Sequence, residues 1–266
     1  MPNYYAHIRF CLEVRKRLSP RLRAVLTAER DAYLCGGFGP DPLYFCAGGK
    51  TRQAGIDLHH HSGAAAMEPF RKPLLEQRPY SLSFSAGYLM HYLLDAHCHP
   101  YVLAVAESGE FSHFALEGEY DRFLMEQDGV THSEALPKRP LPKELCALAA
   151  EMAPAVTPEI YARALREFRF VSLRLGNWAG TPLHGAVNAV SHVPKAKKLR
   201  GMVLGKEPQP GLARHIDALE ERFWEAVCLA EVELGRFFGA VEQGIPFSEA
   251  LGRDFSGNKE DVYGDH

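Results

Sequence analysis

Met90 to Tyr101 reads MHYLLDAHCHPY. His91 and Asp95 are four residues apart and His99 is four beyond Asp95, so on a helix all three project from one side. The residues around them are apolar, and the pattern buries that side. Neutral imidazole and carboxylate are ligands that zinc accepts. HFALEGEYD repeats the device, with His113 and Glu117 again four apart. Two helices that present donors inward are how helical bundles build metal sites. A lone pair of this kind is usually a surface ion pair or a satisfied buried histidine. Five donors in positions that the apolar pattern buries point to a metal, because a buried polar group without a partner is costly.

Further donors lie upstream. His7 follows Tyr4 and Tyr5 in YYAHIRF, and Asp41 is held in the stiff GPDP turn of GGFGPDPLYF. His59, His60 and His61 form a triplet ahead of an expected helix. One or two of its rings can reach a single site, and His59 and His60 are the candidates in that order. His97 points off the His91/Asp95 row and is expected to pack or to support a ligand. Other metal chemistries fit less well. Glu110 to His113 has the E-x-x-H form of di-iron bundles, but a second copy and the additional glutamates are missing. No adjacent His-Asp pair exists, which argues against an HD-type phosphohydrolase. The six cysteines are scattered without a C-x-x-C pair, which argues against a structural zinc finger and for reduced, buried thiols.

The elements that must carry these donors read as helices joined by Pro/Gly loops. A first helix is expected over 3–17. A second opens with Ser19 as N-cap and Pro20 at the first helical position and ends at Gly36–Gly37. Residues 61–77 are helical but broken by prolines. The most apolar helix begins near Ser81 and is closed by Pro100. Helices then follow from His113, from Lys143, from Pro158 to about Leu175, and from Leu212 to Gly244. Residues 176–210 have no clean period, and the tail from Pro246 reads as loop. No alternating β pattern stands out, so the fold class is all-α, a multi-helix bundle around an internal zinc-cluster site. The chain of 266 residues with a net charge of −3 is read as one domain over 1–266, with the metal-site core in about 1–128 and additional helices over 141–245. No apolar run approaches the ~20 residues of a membrane span, and the N-terminus lacks a signal-peptide pattern. A cytoplasmic location is the expectation. The near-neutral charge gives no reason to expect a nucleic-acid partner.

Taken in order, YYAHIRF, GPDPLYF, DLHHH, GYLMHYLLDAHCHPY and HFALEGEYD resemble the zinc-dependent phospholipase C family, related to the S1/P1-type nucleases. The resemblance covers roughly the first 125 residues. It implies up to three Zn2+ ions. One would be held by Asp41, His59 or His60, His91 and Asp95. A second would take His7, the shared carboxylate of Asp95 and the amino terminus. The third would take His99, His113 and Glu117. Secreted members of the family begin with a tryptophan whose amine and carbonyl chelate metal. Here Pro2, exposed by removal of Met1, stands five residues before His7, the spacing of that tryptophan in the nuclease branch.

The implied activity is zinc-dependent hydrolysis of a phosphodiester by metal-activated water, phospholipase C-like. Zinc lowers the pKa of water to ~7, and two ions ~3.5–4 Å apart can clamp a phosphoester. Asp41 ranks as a ligand first and as a catalytic general base second. Tyr4, Phe45 and Trp178 could supply an apolar, substrate-binding mouth, and the basic stretch Lys195 to Arg200 could touch a membrane surface. The expected partner is a phospholipid or another phosphodiester. The rival readings are a non-catalytic, metal-stabilised helical binding or scaffold protein, and a nuclease-like phosphodiesterase.

Overall fold

A computed structural model describes residues 4–46, 49–130, 136, 140–176 and 211–259. The described residues form helices and no β-strand, apart from an isolated bridge between Arg253 and Lys259. The helices are α1 (Tyr5–Arg17), α2 (Pro20–Ala28), α3 (Arg30–Gly37), α4 (Gly49–His60), α5 (Gly63–Met67), α6 (Arg71–Leu75), α7 (Ser81–Glu107), α8 (His113–Asp128), α9 (Lys143–Ala150), α10 (Pro158–Gly176) and α11 (Ala213–Gln243). Short 3-10 turns cover Asp41–Phe45, Glu68–Phe70 and Glu249–Leu251. Among the described residues no helix is long and apolar enough to cross a membrane.

The 27-residue α7 is the axis of the fold, buried on every side over its first half. A helix that is apolar all round needs neighbours all round. Here α3, α1, α8 and α11 supply them. The closest approach is between α3 and α7, where Gly36 and Gly87 face each other. A Cβ on Gly36 would lie 2.1 Å from the Phe84 carbonyl oxygen, and one on Gly87 would lie 2.0 Å from that of Tyr33. Two hydrogen-sized side chains let these backbones touch, and the turn that follows α3 is thereby delivered to the flank of α7.

Four expectations change in the structure. The helix expected from Ser19 to Gly37 is two helices, because the backbone of Glu29 (φ −102°, ψ 37°) leaves the helical range. Ser19 does cap α2, its side chain accepting the Leu22 N–H at 3.4 Å. The GPDP loop tightens into a 3-10 turn that starts at Asp41. The histidine triplet precedes a helix, α5, as expected, but it also closes a further helix, α4, over a segment that was not expected to be helical. Gly49 and Gly55 weaken the apolar pattern of α4, and interior glycine costs a helix about 1 kcal/mol, so tertiary packing carries this element. Pro100 does not end α7, which continues to Glu107. Proline removes the N–H that would bond the carbonyl of Ala96. At that point Gly257, with a left-handed φ of +82°, packs against the ring, and a Cβ there would lie 2.5 Å from Pro100 Cγ and 3.0 Å from the Ala96 oxygen.

Pro2, Trp178 and the Lys195–Arg200 stretch lie outside the described residues.

Gly36→Ala or Gly87→Ala should destabilise the protein by about 3 kcal/mol in urea unfolding, the upper range for overpacking a tight core. A change under ~0.5 kcal/mol, typical of surface substitutions, would show that α3 and α7 can separate freely.

Candidate metal centre

Asp95 lies on α7 at the middle of a buried cluster and is 3 % exposed. One carboxylate oxygen, Oδ1, faces His7 Nε2 at 3.2 Å and His99 Nε2 at 3.6 Å. The other, Oδ2, faces His91 Nε2 at 3.3 Å and His59 Nε2 at 3.9 Å. Asp41 Oδ1 approaches His59 Nε2 at 3.1 Å and His91 Nε2 at 4.0 Å. On α8, Glu117 Oε1 lies 3.2 Å from His99 Nε2 of α7 and 2.8 Å from His113 Nε2. Three groups of donors result: His7, His91 and Asp95; Asp41, His59 and His91; His99, His113 and Glu117. Within each group the donor atoms all lie within 4.8 Å of one another.

Each element delivers its donors for a local reason. The helical repeat lines His91, Asp95 and His99 along α7. Gly39, with φ +53°, turns the chain beneath His91, where a Cβ would meet the ring at 2.3 Å. That turn swings Asp41 in from the end of α3. His7 comes from the first turn of α1, and its ring stacks on His91 at a 4.2 Å centroid distance. The start of α1 has no capping side chain of its own. Asp121 of α8 supplies the acceptor instead, taking the N–H groups of Tyr5 and Ala6 at 2.9 and 2.8 Å. It is a buried residue that the sequence reading missed, and the only hint was an acid four residues after Glu117 on the same helix face.

The hydrogen bonds of the rings fit a metal. A carbonyl oxygen only accepts, so a ring nitrogen against one must carry the proton. His91 Nδ1 donates to the Gly37 carbonyl at 3.2 Å, His59 Nδ1 to that of Gly55 at 2.7 Å, and His99 Nδ1 to that of Phe255 at 2.8 Å. Metal-ligating histidines characteristically spend their other N–H in this way, which directs the remaining lone pair inward. Several buried atoms at the centre have no hydrogen-bond partner: both ring nitrogens of His7, His91 Nε2, Asp95 Oδ2 and Glu117 Oε2. Such orphans are rare in folded proteins, and cations held in the separate donor groups would give His7 Nε2, His91 Nε2 and the carboxylate oxygens the partners they lack among the described residues.

Charge balance gives the same reading. Burial pushes Asp95 up, but His99, His91 and His7 outweigh it and hold the carboxyl far below its ordinary range. Burial likewise raises Asp41, and His91 and His59 bring it down. Glu117 is held down at about 2, its burial outweighed by His113 and His99. The histidines diverge. Burial, with His7 and His59 beside it, lowers His91 to about 4 despite Asp95 and Asp41, whereas Asp95 and Glu117 raise His99 to about 10 against its own burial. His7 is also raised, Asp95 outweighing burial. Three buried carboxylates are thus kept ionised, which draws positive charge to the site.

The remaining candidates lie apart from these groups. His60 is exposed and belongs to none of them. The ring of Tyr4 is buried at 3 % exposure and meets Phe168 edge-on, so it faces the core rather than a mouth. Phe45 packs on the same Phe168 at 5.3 Å and is half-buried. His97 leaves the row and meets Glu225 of α11 at 3.1 Å. The expectation that the tail from Pro246 is a plain loop misses its contacts: Phe255 lies against His59 and His91 and receives the His99 N–H.

A family model described as zinc dependent phospholipase C matches residues 6–165, more than half of the chain, and the chain belongs to that family. No curated protein and no solved structure matches.

Asp121→Ala should cost about 3 kcal/mol in urea unfolding, since two buried N–H groups lose their side-chain acceptor; a loss below ~0.5 kcal/mol would show that α1 needs no cap from α8. Zinc added to metal-free protein should raise the melting temperature, because a ligand at 1,000 times its Kd stabilises by about 4 kcal/mol. An unchanged melting temperature would show that these donors do not hold zinc.

Proposed function

We propose that this member of the zinc-dependent phospholipase C family hydrolyses the phosphodiester of a phospholipid, using the buried cluster as its zinc site. The observation that carries the reading is the position of Asp95, with one oxygen toward His7 and His99 and the other toward His91 and His59. A carboxylate placed in this way can serve two ions and offset their mutual repulsion. In this reading Asp41, His59, His91 and Asp95 hold one ion. His7 and Asp95 hold part of a second, and His99, His113 and Glu117 hold a third.

Bound zinc supplies Lewis acidity to phosphoryl oxygens and makes water acidic enough to ionise near neutral pH. The protein's own residues orient and exclude. Among the donors His113 has the most exposed side chain, at 24 %, followed by His59 at 11 %, so these are the two donors that a substrate can reach first from solvent. His7, His91 and Asp95 are closed off behind them, which keeps bulk water from the rear of the cluster. Asp41 can take a proton from an attacking water only as a weak base, because the same histidines that keep it ionised lower its affinity for a proton. Ligation therefore ranks ahead of proton transfer for Asp41.

The test is hydrolysis of a chromogenic aryl phosphodiester and of a phospholipid in mixed micelles, with elemental analysis alongside. Activity should fall to background in chelator and return with zinc. Asp95→Ala should lose about two ions per chain along with activity. Full metal content and full turnover in Asp95→Ala would refute the shared role. Metal content without turnover in the unmutated protein would assign the site to binding rather than hydrolysis. Hydrolysis of single-stranded nucleic acid in preference to phospholipid would move the substrate to the nuclease branch.

A further inference from the structure

Phe255 contacts three of the clustered histidines, although its side chain carries no ligand atom. Its carbonyl accepts the His99 Nδ1–H at 2.8 Å. Its N–H donates to the backbone carbonyl of His59 at 3.2 Å. Its fully buried ring lies against the rings of His59 and His91, at centroid distances of 5.1 and 5.8 Å. One residue of the C-terminal tail therefore touches a member of each of the three donor groups, since His91 belongs to two of them.

The tail is anchored for this purpose. Past Gly244, which caps α11 in the left-handed region with φ 64°, Ser248 donates to the buried carboxylate of Glu233. The Tyr92 hydroxyl reaches the carbonyl oxygens of Ala250 and Arg253, each at 3.0 Å, and the Gly63 N–H donates to the same Arg253 oxygen at 2.9 Å. Asp254, itself 2 % exposed, ties the turn together by accepting from the N–H groups of Ser256 and Asn258 at 2.9 and 2.8 Å. Gly257 then seats on Pro100, the point in α7 where a helix hydrogen bond is missing. All of these tail residues lie beyond the 6–165 span that the family model matches.

We propose that the turn at 253–258 is a positioning element of the metal centre, which sets zinc affinity by fixing the ring orientation of His99, His59 and His91. The inference rests on reading these histidines as zinc ligands. A hydrogen bond at Nδ1 selects the tautomer whose Nε2 lone pair is free, and it stops the ring from rotating. The aromatic face of Phe255 blocks rotation of the other two rings and excludes water from behind them, which strengthens charge interactions at the site.

The test uses full-length protein with Phe255→Ala, which removes the ring, and Gly257→Val, which forces the turn off Pro100. Phe255→Leu keeps most of the volume and serves if the alanine variant does not fold. Zinc affinity is measured by competition with a chromophoric chelator, and ligand geometry by the visible spectrum of the cobalt-substituted protein. Disturbing the support behind ligands typically weakens metal binding by about 10–100-fold, and that loss is expected here, with an altered cobalt spectrum. Folded variants that bind zinc as tightly as the unmutated protein, with an unchanged cobalt spectrum and only a lower melting temperature, would overturn the proposal and leave the tail a structural role. Failure of the unmutated protein to bind zinc would instead overturn the reading of the cluster, and this inference with it.

Discussion

Asp95 is a buried carboxylate surrounded by four imidazoles, with His7, His59, His91 and His99 all within 4 Å of its oxygens. An ionised carboxylate in a protein interior is expensive unless positive charge and hydrogen-bond donors surround it. Here the surroundings come from α1, α4 and α7 together, and Asp41 and Glu117 extend the same network at either end. Most of the fold can be read as the means of bringing these elements to one carboxylate.

That requirement explains features that would otherwise look costly. Gly36 and Gly87 give up side-chain packing so that α3 can lie against α7. Gly39 accepts a left-handed turn so that Asp41 can enter beside His91. Asp121, buried and charged by type, caps α1 from another helix and so fixes the position of His7. Each is a local cost of the order of a kilocalorie per mole or a few, and each serves the same cluster. The proline in α7 fits this account as well, since the interrupted helix gives the C-terminal turn its seat.

The rings also show how orientation is divided between near and distant parts of the chain. His59 is fixed by a carbonyl four residues earlier on its own helix. His91 uses a carbonyl at the end of α3, and His99 uses one 156 residues away in the tail. The helical repeat places a donor on the correct side of its helix, but it does not set the rotation of the ring. That is left to acceptors that arrive only when the chain has folded.

The sequence by itself determined the helical class, the i, i+4 pairing of His91 with Asp95 and of His113 with Glu117, the cap at Ser19, and the rigidity around Asp41. These follow from the 3.6-residue period and from turn chemistry, both of which act over a few residues. Only the tertiary structure decided that His59 rather than His60 turns inward, because that depends on which face of α4 meets the 41–45 turn. It also decided that Tyr4 faces the core, that α7 passes through Pro100, and that Asp121 and Phe255 support the cluster. The first depends on how two neighbouring elements pack and the others on contacts between residues more than a hundred positions apart, none of which a local pattern encodes.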